Sequence, residues 1–392
     1  MAKQSKDFAL RYAIKKGVGN TPADADLYGG GTVPVTGANS QTNWEEAPIV
    51  DTPEKYEDIS STGNQWMRPK EVTAVPVTWN GKTSTYVNNT LTEMVCSLGY
   101  EDLSGPINFD TTKYSHLISL MPDGKDQRLY TAEEAALATA NGALSPAYDP
   151  TDQINTYFKL GVEMGPDDLF SNNSNVQEFT ISCESKNPQM LEMSGLGEFT
   201  VRDTAKTESA NWTDRVGCDE AKFFMRHASC FFGPLGTPIE VPIFNYTITG
   251  TLGMADDLFP TGTSNAGLSR AEPVSTGNQT VQVEFQINKH DTIDYKNYEQ
   301  TDTECQLKID LTRGNFQMIH LFPSLNIISA EPEISDGSKI NITAEGQIPC
   351  NPDPFLAERS ISGTEQALLY PETPYYQMWV NENSENGMRY EG

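Results

Sequence analysis

Between Val281 and Ile348 the chain repeats one pattern three times. Val281, Val283, Phe285 and Ile287 alternate with Gln282, Glu284, Gln286 and Asn288. Cys305, Leu307, Ile309 and Leu311 alternate with Glu304, Gln306, Lys308, Asp310 and Thr312. Ile340, Ile342, Ala344 and Ile348 alternate with Lys339, Asn341, Thr343, Glu345 and Gln347. A period of two is the mark of a strand with one dry and one wet face. Exposing the dry face costs roughly 1.5–3 kcal/mol per large side chain, which directs it to a core. The mostly apolar run 315–328, broken by Pro323, lies between the second and third repeats. Such strands joined by polar turns predict an antiparallel sheet, packed on one face and solvated on the other. The wet face then carries Gln282, Glu284 and Gln286, and on the next strand Glu304, Gln306 and Asp310. Lys308 is the basic exception among them, with acids on either side to neutralise it.

The rest of the chain extends the same theme. Residues 1–50 form an N-terminal arm whose start is basic, with Lys3, Lys6, Arg11, Lys15 and Lys16. A first strand-rich region, 51–258, contains a turn-rich insertion at 101–150. Within this region Asn80-Gly81 predicts a hairpin turn, because both residues tolerate positive φ. Thr90-Leu-Thr-Glu93 is a capping box that opens a short helix ending before Gly99. Thr131-Ala-Glu-Glu134 opens a second helix inside the insertion. Alternation predicts strands at 156–164, 179–184, 198–202 and 244–249, and a longer helix over 219–232 bearing Phe223, Phe224, Met225, Phe231 and Phe232. A Gly-, Pro-, Ser- and Thr-rich linker, 259–278, leads to a second strand-rich region, 279–360, and a C-terminal extension, 361–392.

Composition excludes several classes. The net charge is −27, from 54 acids against 27 bases, which disfavours gripping nucleic acid or an anionic membrane by charge. No apolar run is long enough for a membrane-spanning helix, and the first twenty residues lack the apolar core of a secretory signal. Six scattered cysteines without a C-x-x-C read as free, buried thiols. No G-x-S-x-G, H-E-x-x-H, G-x-G-x-x-G or calcium-loop pattern occurs, so neither an enzyme nor a cofactor is expected. Asn80-Gly81-Lys82-Thr83 ends like a phosphate loop, but Pro76 stands where its first glycine belongs. Cys218, His227 and Cys230 have soft-ligand side chains, yet they lack a fourth ligand and sit among Phe and Met, so no metal is assigned.

Taken together, several segments resemble the major tail tube proteins of long-tailed bacteriophages. They are the arm leading to Asn43-Trp-Glu-Glu-Ala-Pro48, the segment Asp58-Ile-Ser-Ser-Thr-Gly63, and a strand running into the helix that ends Ser97-Leu98-Gly99. Phe179-Thr-Ile-Ser-Cys-Glu184 and the Leu321-Phe-Pro323, Asp336-Gly337 and Ile340-Asn-Ile-Thr343 ending complete the set. The resemblance covers about residues 40–350 as an order of elements. It implies a mainly β protein: antiparallel β-sandwich tube domains with flanking short helices, two per chain, whose sheets join in a ring around a β-barrel lumen. The implied function is structural, with stacked rings forming the tail tube through which DNA reaches the host. The implied partners are the chain itself, other tail proteins at the tube ends, and DNA in transit without specific binding. The implied location is the virion tail, after synthesis in the host cytoplasm.

Two domains per chain would make a trimer the six-fold ring, and one domain a hexamer. Gln282, Glu284, Gln286, Glu304, Gln306 and Asp310 would line the channel, and the basic arm would dock on an adjacent ring. The same strands and aromatics also fit a carbohydrate-binding or adhesin-type β-sandwich of a virion or cell surface. A β-rich glycoside hydrolase working through two carboxylates is a third reading.

Overall fold

The computed structural model describes residues 77–88, 90–101, 113–120, 154–164, 167–197, 221–254, 279–288, 295–332, 339–348 and 373–382, together with short strands elsewhere. The first strands are β1 (Leu10–Lys16), β2 (Gln41–Thr42), β3 (Trp44–Asp51), β4 (Lys55–Glu57), β5 (Glu71–Ala74) and β6 (Val77–Ser84). Helix α1 (Leu91–Leu98) precedes β7 (Gly99–Glu101), β8 (Ile107–Asn108) and β9 (Tyr114–Leu120). Next come β10 (Ile154–Met164), β11 (Asp167–Glu184), β12 (Met190–Gly197), β13 (Phe199–Asp203), β14 (Ala228–Pro234), β15 (Ile239–Val241), β16 (Ile243–Thr251) and β17 (Thr280–Asn288). Helix α2 (Tyr295–Gln300), β18 (Cys305–Arg313), β19 (Phe316–Pro332), β20 (Lys339–Gln347), β21 (Ser360–Ile361), β22 (Thr364–Glu365) and β23 (Tyr376–Asn381) complete the order.

The protein is mainly β and antiparallel, and among the described residues nineteen strands join in one open network. No closed barrel is formed among the described residues. Two long strands organise it. The C-terminal half of β19 pairs with β20, and the sheet continues through β17, β16, β11, β12, β6 and β3. We call this the front sheet. The N-terminal half of β19 lies between β18 and β23, with β14 and β15 beyond β18, and β9, β7 and β8 beyond β23. This is the back sheet. β19 passes between the sheets around Pro323, where its register with β18 shifts between Phe322 and Leu325. Proline lacks the N–H that a regular ladder needs, so it belongs at such an irregularity. β11 is shared in the same way: its first half pairs with β10 and β13, and β1 and β2 extend that side.

The two sheets face each other across one apolar core. Val281, Val283, Phe285 and Ile287 of the front sheet meet Leu307, Ile309, Leu311 and Phe232 of the back sheet within it. Phe232 and Phe285 touch edge to face, their centroids 5.1 Å apart. The alternation read from β17 holds residue for residue, with Val281, Val283, Phe285 and Ile287 buried and Gln282 and Glu284 exposed. Cys96, Cys183, Cys230 and Cys305 are buried thiols outside any disulfide, as expected.

Two local expectations are corrected. Asn80-Gly81 is not a turn: β6 runs straight through it, with Asn80 opposite Ser194 and Gly81 opposite Met193. β6 pairs with β12 on one side and β3 on the other, and that pairing outweighs a dipeptide's turn preference. The helix expected over 219–232 is instead a 3₁₀ turn, Met225–His227, followed by β14. Cys230 and Phe232 point inward there and pair with Ile309 and Leu307, so strand pairing overrides the helical reading. The helix at 131 falls outside the described residues. By contrast, α1 stands where the capping box puts it, with Met94 N–H donating to the Thr90 carbonyl at 3.1 Å. The Thr90 hydroxyl also accepts from Tyr86 N–H at 2.9 Å and donates to the Tyr86 carbonyl at 2.8 Å.

The stretch 259–278 does not separate two cores. β16 and β17 pair across it along eight residue pairs from Ile243↔Ile287 to Thr251↔Thr280, and β14 pairs with β18. A chain nicked within 259–278 should therefore keep its two pieces together. On size exclusion under native conditions they should co-elute at the intact mass and separate only in denaturant; native separation would refute the shared core.

Candidate functional site

Two features concentrate polar chemistry. The first is the outer face of the front sheet. Adjacent strands align side chains in rows, since directly paired residues point the same way. One row runs Glu345, Gln282, Thr249, Thr180, Glu192 and Lys82 across β20, β17, β16, β11, β12 and β6. The next runs Thr343, Glu284, Thr247 and Ser182, and a third Asn341, Gln286, Asn245 and Glu184. Gln286 donates to Asn341 Oδ1 at 2.9 Å, so the rows are themselves hydrogen-bonded. Lys82 is ion-paired to Glu192 and Lys339 lies 4.7 Å from the Phe244 ring centroid, so Glu178, Glu184, Glu284 and Glu345 outnumber the remaining cation and set the sign of the exposed field.

The expected channel residues do not share one face. Gln282, Glu284 and Gln286 lie on the outer face of the front sheet. Asp310 and Lys308 lie on the outer face of the back sheet, on the far side of the core. Lys308 there lies 3.9 Å from Asp310 and 5.7 Å from the Phe231 ring centroid. Gln306 is not wet at all, being 3% exposed. The turn after β14 closes over it, and Gly236 N–H donates to its Oε1 at 3.0 Å. Gly236 holds φ at +77°, a conformation that favours glycine. Glu304, half-buried, accepts from the Ser324 hydroxyl at 2.6 Å. Of the basic arm, Arg11, Lys15 and Lys16 lie on β1, paired with β10 of the same chain, while Lys3 and Lys6 fall outside the described residues.

One edge of the front sheet is guarded. Beyond Leu325, the edge of β19 opposite β20 faces α2, where Glu299 accepts from Ala330 N–H at 3.0 Å. Lys296 holds Glu299 and Glu331 at 2.7 Å each. Pro332 ends the strand with no N–H to offer.

The second feature was invisible to patterning: a hydrogen-bonded chain through the middle of the sandwich. Trp379 Nε1 donates to Gln377 Oε1 at 2.9 Å, and Gln377 Nε2 donates to the Tyr375 hydroxyl at 2.8 Å. The Tyr375 hydroxyl lies 2.7 Å from His320 Nδ1, and His320 Nε2 lies 3.1 Å from Gln189 Oε1. Gln189 Nε2 donates to Thr85 Oγ1 at 3.1 Å, while the Tyr246 hydroxyl donates to Gln189 Oε1 at 2.5 Å. Only one proton arrangement satisfies every link. Gln189 Oε1 can only accept, so His320 carries its proton on Nε2, and Nδ1 accepts from Tyr375. Burial drives the imidazole down from 6.5 to about 3, which keeps it neutral. Burial likewise raises Tyr246 and Tyr375 above the ordinary phenol range.

Among the described residues the soft-ligand side chains do not converge, and Cys218 lies outside them. Cys230 faces the core with its thiol pushed up by burial, and His227 Nδ1 accepts from Phe224 N–H at 3.2 Å. Groups of three or more potential metal ligands are absent among the described residues. No described helix is long and apolar enough to cross a membrane. Compared with known proteins, the chain matches no family model and no curated sequence.

The chain of bonds fixes a pH dependence. His320 titrates near 6.5 when unfolded and near 3 when folded, so the unfolded state binds the extra proton between those values. Stability from this group is complete above about pH 6.5 and falls as pH drops, by roughly 1.4 kcal/mol per pH unit. Urea unfolding between pH 6.5 and 5 should show that slope, and His320→Gln should remove most of it while lowering stability at pH 7. An unchanged slope in the variant would show that His320 is not the titrating group.

Proposed function

We propose that this chain is a structural protein that polymerises as stacked rings into the tail tube of a long-tailed bacteriophage, the conduit for its DNA. The observation that supports the reading is the front sheet's outer face. It is a broad, hydrogen-bonded array of Thr, Gln, Asn and Ser with a surplus of carboxylates. On this wall Lys82 is paired with Glu192 and Lys339 lies over the Phe244 ring, so the surplus carboxylates set the field and repel passing phosphates over a Debye length of roughly 8–10 Å. In this reading Gln282, Glu284, Gln286 and Glu345 face the channel, and Lys308 and Asp310 face outward. Because one core spans both strand-rich regions, each chain counts as one tube unit, and six copies rather than three close the ring. The guarded edge at Ala330 leaves the β3 side and the loops as the surfaces by which rings are joined. The exposed large apolar residues among those described are Ile239, Ile328 and Ile348, all aliphatic, which favours the tube over a sugar-stacking face.

Electron microscopy of the purified protein tests this directly: tubes with a regular axial repeat are expected, and discrete particles at high concentration would overturn the reading. The channel face is tested by charge reversal in assembled virions. Glu284→Lys with Glu345→Lys should slow DNA ejection, more so at low salt, whereas Asp310→Lys should leave ejection unchanged. The opposite ranking would put the back sheet on the channel.

A further inference from the structure

β23, the last strand of the back sheet among the described residues, arrives in an unusual way. β20 and β23 lie end to end along the same edge of β19 and run in the same direction. β20 stops with Gln347 opposite Ser324, and β23 starts with Tyr376 opposite Leu321. The gap along β19 is three residues, about 10 Å of strand. A Cβ built on Gly346 would stand 3.2 Å from the Pro374 carbonyl, so the chain returns almost to the point it left. Yet 28 residues separate Gln347 from Tyr376 in sequence. Fully extended, they reach about 90 Å, far more than the gap requires.

The slot that β23 fills is selective. It lies between β19 and β9, and β23 is the only described strand linking β9, and through it β7 and β8, to the rest of the back sheet. Its inward residues, Tyr375, Gln377 and Trp379, are fully buried, and each is a link in the hydrogen-bonded chain to His320. Asn381 Oδ1 lies 3.1 Å from His116 Nε2, Glu382 N–H donates to Asn88 at 3.0 Å, and the Glu382 carboxylate pairs with Lys113 at 2.7 Å. The recognition is thus by both backbone and side-chain identity, and it does not depend on which copy supplies the strand. The connection is long enough for a neighbour to do so.

We infer that the groove between β19 and β9 is a docking site for the β23 strand of a second copy of this chain, so that copies exchange C-terminal strands when they assemble. The loss and gain of hydrogen bonds cancel in such an exchange, and the connection length sets its reach. The inference holds for any assembly of this chain and does not rest on the tube reading.

Gln317 and Val380 are directly opposite across β19 and β23, within the Cα range a disulfide spans. Two full-length chains are co-expressed, one with Gln317→Cys and the other with Val380→Cys and a size tag, then oxidised mildly. A chain carrying both substitutions sets the yield that this pairing permits. Strand exchange predicts a shift of both chains to a mixed dimer of twice the monomer mass. Monomers alone, while the doubly substituted chain closes internally, would overturn the inference. Equal dimer yield between two Gln317→Cys chains would mark a chance contact and overturn it as well. Absence of tubes in the microscope would leave this measurement intact.

Discussion

A neutral imidazole holds the middle of the sandwich. His320 stands on the inner face of β19 in a row otherwise suited to apolar residues, between Ile309 of β18 and Gln377 of β23. An unsatisfied polar group there would cost about 1–3 kcal/mol, and a charged one considerably more. The solution is a directional relay from Trp379 to Thr85, in which each donor meets one acceptor. Links of this kind polarise one another and are satisfied in one arrangement only. Since Gln189 and Tyr246 belong to the front half and Tyr375, Gln377 and Trp379 to the back, the relay also fixes how the two sheets sit on each other.

The strands were legible because burial and period coincide. On β17 every apolar residue of the alternation is buried, and the short helix starts beside Thr90 as its capping box requires. The failures share a cause: local preference yields to long-range pairing. Asn80-Gly81 favours a turn in isolation, and Phe231-Phe232 can sit on a helix, but neighbouring strands claim both segments. Parity could give the wet side of each strand but not which sheet it joins. That is why Glu284 and Asp310, alike in sequence, end on opposite walls. Gln306 was misread because the turn at Gly236 covers it, a contact between residues 70 apart in the chain. The relay was not legible at all, since a His, a Gln and a Tyr inside strands leave no periodic trace.

The guard on the front sheet shows how an open sheet closes off a free edge. A bare edge invites pairing with any passing strand. Here a carboxylate takes the place of a strand carbonyl at Ala330, and a lysine keeps that carboxylate in position. The short helix that carries them is anchored by the buried Tyr295, whose ring stacks on Phe232 with centroids 5.7 Å apart. Edge protection is therefore tied to the core rather than left to a loose loop.

The two long strands also have a mechanical meaning. β11 and β19, of 18 and 17 residues, belong to more than one layer and carry strands on both flanks, except where α2 covers β19 beyond Leu325. A load pulling the layers apart lengthwise cannot unzip such a strand one bond at a time. It must slide the strand against both neighbours at once, so that many backbone bonds resist together. Resistance to such a load is therefore built along these two strands, as in a fibre laid within a small protein.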